Sequence, residues 1–63
     1  MALPPSRTQR RIILVEKAME YLKAGASKEA VIQRLVQDHP EVSYMSAYFI
    51  VKEAEIRLRG ESR

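Results

Sequence analysis

Residues 25–43 read Gly-Ala-Ser-Lys-Glu-Ala-Val-Ile-Gln-Arg-Leu-Val-Gln-Asp-His-Pro-Glu-Val-Ser, and they hold one whole helical segment with its start and stop signals. Gly25 suits the left-handed position just past a helix end, so a preceding helix should close at Ala24. Ser27 is the next N-cap, and Glu29 falls in the first turn, where the helix dipole favours negative charge. Val31, Ile32, Leu35 and Val36 recur at helical spacing and form a stripe to bury, while Ala30, Gln33, Arg34 and Gln37 face outward. Pro40 biases His39 away from helical geometry, so this segment ends near Asp38 and His39. Ser43 is then the N-cap of a third segment.

The same reading extends in both directions. Upstream, Pro4 and Pro5 precede Ser6, which with Gln9 matches a Ser-x-x-Gln capping box. Val15, Ala18, Met19 and Leu22 share one arc, with Ile12 at its edge and Leu14 and Tyr21 widening it. Glu16, Lys17, Glu20 and Lys23 lie opposite, with Ile13 as the one apolar intruder. Downstream, Ala47, Ile50, Val51, Ala54 and Leu58 form a clean stripe, and Gly60 is the matching terminator. Ile12 to Val15 and Tyr48 to Val51 are β-friendly, yet each sits inside a helical period with no turn signal nearby. The expectation is an all-α, single three-helix domain over 1–63. A flexible stretch at 1–5 precedes helices at about 7–24, 28–38 and 44–59.

Composition narrows the function classes. A chain of 63 residues makes one small domain with a modest core. With no Cys and one His, neither a disulfide nor a zinc site is expected, which leaves oligomerisation as the usual aid to so small a fold. His39 beside Asp38 reads as a cap on helix carbonyls or a charge at the negative dipole end. Ser27 and Ser43 read as caps without a His partner, and no glycine-rich phosphate loop occurs. No catalytic residue, cofactor, metal or small-molecule substrate is expected, and the chain does not read as an enzyme. Ile12 to Val15 and Ala47 to Val51 are far too short to cross a bilayer. Met-Ala-Leu-Pro-Pro lacks the organisation of a signal peptide, so a cytoplasmic protein is expected.

Ala26 to Leu35, followed by Pro40-Glu41-Val42-Ser43-Tyr44-Met45-Ser46-Ala47-Tyr48, resembles a helix-turn-helix DNA-binding domain at superfamily level, over about half the chain. The resemblance implies that Val42 is the buried hydrophobe of the turn and Ser43 caps the recognition helix. It further implies that Tyr44, Ser46 and Tyr48 point toward bases or phosphates, with Ser43 beside them in the nucleic-acid-binding set, while Ala47 and Ile50 seat the third helix on the second. Lys28, at the start of the second helix, would meet a phosphate, and Lys52 lies on the same side of the third. The connection from Asp38 to Val42 is longer than the usual tight turn and holds no Gly. No hairpin follows, so a winged variant is not supported.

Eleven Lys and Arg against eight Asp and Glu give a net charge of +3, and seven of the cations are Arg, which grips phosphate with two parallel bonds. Arg7, Arg10 and Arg11, at i, i+3 and i+4, predict a basic patch on the first helix, set against the dipole preference there. Arg57, Arg59 and Arg63 make a second cluster, for which the C-terminal dipole is sufficient reason in the case of Arg57 and Arg59.

Opposite the core stripe of the third helix, Met45, Phe49 and Ile56 fall within about 40° of one another. Either the stripe is rotated and they are interior, or they form a homodimer or partner surface, with an apolar wedge into DNA as the remaining option. The leading expectation is a small regulatory protein that binds duplex DNA as a homodimer through the third helix. The alternative is a helical interaction module that binds and modulates a protein partner. Third is a ribbon-helix-helix dimer with Arg10 to Val15 as its strand.

Overall fold

The computed structural model describes residues 7–61, and within them the side chains of residues 8–60. The expected flexible stretch at 1–5, the Ser6 cap, the Arg7 side chain and Arg63 lie outside the described residues and side chains.

Three helices follow one another: α1 (Arg7–Lys23), α2 (Lys28–Asp38) and α3 (Tyr44–Glu61). The α1 stop works through Gly25, whose φ of 99° places it in the left-handed region. Its N–H donates to the Leu22 carbonyl at 3.0 Å and that of Ala26 to Tyr21 at 3.1 Å, which together satisfy two orphan carbonyls at the end of α1. Ser27 then caps α2, its Oγ accepting from the Ala30 N–H at 3.2 Å. At the far end the His39 N–H donates to Leu35 O at 2.9 Å, and the Val42 N–H donates to His39 O at 2.8 Å, turning the chain toward α3.

α3 is the central element: it packs against both α1 and α2, which touch each other less. Ala47 and Ala54 are fully buried on its inner stripe, and such small side chains let the neighbouring helices approach closely. Ile50 and Val51 complete that stripe against Leu14, Val15, Ala18 and Met19 of α1 and Val31, Ile32 and Leu35 of α2. Burying each of these larger side chains contributes about 1.5–3 kcal/mol. Tyr21, Leu22, Val36, Val42, Tyr48 and Leu58 close the edges of the core. Val42, expected to be the buried hydrophobe of the turn, is only partly buried there.

A helix end differs from the sequence reading, and one alternative of that reading is removed. α3 runs through Gly60 to Glu61, because Gly ends a helix only where it turns left-handed, and among the described residues only Gly25 does so. Residues 10–15 lie inside α1, and no strand occurs among the described residues, so the ribbon-helix-helix arrangement is excluded. The β-friendly side chains there are overridden by the helical period that buries Leu14 and Val15.

Candidate nucleic-acid interface

Because the inner stripe of α3 meets both other helices, its opposite side has nothing to pack against among the described residues. Met45, Phe49 and Ile56 are 64%, 51% and 61% exposed, and Tyr44 is 60% exposed. These residues belong to a surface, so the interior alternative falls away. The large apolar side chains sit beside cations and aromatic rings.

Tyr48 is the pivot of that surface. It is half-buried at the edge of the core, and two ammonium groups approach its ring. Lys28 Nζ lies 6.0 Å from the ring centroid and Lys52 Nζ 5.6 Å, the first from α2 and the second from α3 itself. The aromatic quadrupole attracts each cation and holds both on one local surface. Lys28 also lies 3.7 Å from a Glu55 carboxylate oxygen. Lys52 and Arg59 make no ion pair among the described residues. Phe49 meets Tyr48 edge-to-face, with centroids 5.6 Å apart at 78°.

On the α1 side of this face Glu53 stands between two arginines. Arg11 Nε is 3.3 Å from one carboxylate oxygen, and an Arg57 guanidinium nitrogen is 3.8 Å from the other. Such exposed pairs are worth about 0.2–1 kcal/mol each, and the shared carboxylate draws both guanidinium groups toward itself. Around the outward side of α3 thus stand Arg11, Lys28, Lys52, Arg57 and Arg59, with Glu53 and Glu55 opposing them among the described residues.

The expected arginine patch on α1 is divided. Arg11 turns to Glu53, whereas Arg10 lines a groove of about 280 Å³ with Ile13, Leu14, His39, Glu41 and Val42. Adjacent positions on a helix diverge by about 100°, and tertiary packing gave the two side chains different neighbours. His39 caps α2 as expected, through its backbone N–H, which donates to the Leu35 carbonyl. The ring Nδ1 lies 3.6 Å from Glu41, and Nε2 is buried without a hydrogen-bond partner among the described residues. Arg34 is bound at 3.1 Å by Asp38, whose charge raises the guanidinium pKa.

Ser43 and Ser46, both expected to face a ligand, engage each other. Ser43 Oγ accepts from the Ser46 N–H at 3.2 Å and donates to Ser46 Oγ at 3.0 Å. The cap thereby takes the Ser43 hydroxyl out of base recognition. Glu53, Glu55, Arg57 and Arg59 were missing from the site read in the sequence. The Glu53–Arg57 spacing of i, i+4 was a visible signal for one pair. Pairing of Lys28 with Glu55 and Arg11 with Glu53 had none, since each joins different helices.

No protein-family model, curated protein or solved structure matches this chain.

Proposed function

We propose that this protein is a small regulatory DNA-binding protein of the helix-turn-helix type, holding duplex DNA on the outward side of α3. The observation that carries this reading is the gathering of five cations against two carboxylates around that side among the described residues. Phosphate contacts supply most of the affinity of such proteins, and they require cations on one face. Lys28 at the start of α2 corresponds to a phosphate contact from the first helix of the motif, and Lys52 to one from the second. Tyr44 and the remaining Ser46 hydroxyl hydrogen are the groups of α3's first turn available to base edges. Titration of a labelled mixed-sequence duplex at several salt concentrations tests the reading. Binding that weakens steeply with salt supports it, and no binding at low salt removes it.

A second reading has its own observation. Met45, Phe49 and Ile56 give DNA little to recognise but are suited to a protein partner. A homodimer through this face would set two net-positive surfaces together, so salt would strengthen it by screening the repulsion. Salt would weaken duplex binding. Measuring mass in solution across the same salt series separates the two.

A further inference from the structure

We infer that the exposed side of α3 also binds unpaired nucleic-acid strands, stacking bases on Phe49 and, at the flank about 140° round the helix, on Tyr44, while Lys28, Lys52 and Arg59 hold the backbone phosphates. The inference rests on the nucleic-acid reading above and adds a ligand class to it.

Three observations converge. Phe49 and Tyr44 expose half or more of their surface, and Phe49 is set edge-to-face on Tyr48. In a duplex every base hides its π-faces in the stack, so exposed rings gain little there. An unpaired strand offers those faces, and stacking on aromatic side chains is its commonest mode of recognition.

The second observation is the shortage of groups that read base edges. α3 contains no Asn or Gln, and the Ser43 hydroxyl is closed against Ser46. The third is charge. The apolar rings lie among five cations and two acids, and two of those cations flank Tyr48 within 6.0 Å of its centroid. Rings interleaved with cations suit a ligand whose bases and phosphates alternate. The same surplus opposes a second copy of this face, because like charges would meet.

The test uses the full chain with labelled (dT)15 and a mixed duplex of equal length, at the same low ionic strength. Anisotropy should show the single strand bound at least as tightly as the duplex. Phe49→Leu keeps an apolar side chain of similar volume without a π-face. It should weaken (dT)15 binding by roughly 5- to 150-fold, the range for losing one base stack, and lower the strand-to-duplex affinity ratio. Circular dichroism checks that the variant stays helical, and Tyr44→Leu gives a second, independent probe. Duplex binding without strand binding overturns the inference and leaves the duplex reading standing. Failure of both ligands overturns both. Strand binding unchanged in both variants rejects stacking. A dimer that Phe49→Asp dissociates, with no strand binding by either form, assigns the face to a second copy.

Discussion

Lys52→Ala tests the face at the position where charge is least encumbered. Lys52 makes no ion pair among the described residues, and its ammonium rests 5.6 Å from the Tyr48 ring centroid. If Lys28, Lys52 and Arg59 each neutralise one phosphate, log K should fall with log salt at a slope of about −2.7. That is about a 40-fold loss between 50 and 200 mM. Removing Lys52 should flatten the slope to about −1.8 and the loss to about 12-fold. Glu53→Gln is the opposite perturbation, since it releases Arg11 and Arg57 from a shared carboxylate. Duplex binding should tighten and its slope steepen by up to about 1.8. Fluorescence anisotropy on a labelled 20-base-pair duplex, read at five or more salt concentrations, measures both variants. A parental slope shallower than about −1 would refute the placement of the phosphates. So would a Lys52→Ala line parallel to the parent.

The other predictions concern the frame that holds this face. Leu35→Ala removes a side chain only 1% exposed. It should cost about 2–5 kcal/mol, a large part of the roughly 3–9 kcal/mol that holds a domain of this size. Urea unfolding would show a low midpoint or an unfolded chain. Gly25→Ala meets nothing within 4 Å at its new Cβ, so only the φ of 99° penalises it. The loss should be about 1–2 kcal/mol, read as a drop in Tm with helicity retained below the transition. Phe49→Asp should stay folded with a Tm within about 4 °C of the parent, because the side chain is half exposed. Loss of helicity in that variant would return Phe49 to the core.

Much of the fold can be read from neighbours along the chain. Gly25, Ser27, Pro40 and Ser43 act within one helical turn of themselves, and three of them form the caps their residue types imply. The inner stripes were equally legible, since Val31, Ile32 and Leu35, like Ala47, Ile50, Val51 and Ala54, are buried as their period requires. Gly60 shows the limit of such signals. Glycine permits a left-handed turn without enforcing one, and α3 continues through it. The site was less legible. Tyr48 was expected to face a ligand, but whether two lysines would meet over its ring depended on how α2 lies against α3.

Local signals were enough to specify three helices, the turns between them and the faces they bury, because capping and helical periodicity repeat within a few residues. The sequence also showed that Met45, Phe49 and Ile56 share one side of the third helix. Packing left this side uncovered by the other described residues, since a helix between two neighbours has one face that neither can reach. It also decided how the arginines divide. Arg11 finds Glu53 across 42 residues of sequence, while Arg10, next to it in the chain, lines a separate groove. Charge pairing between helices follows their relative placement, and that is set by the packing of Ala47 and Ala54 in the core.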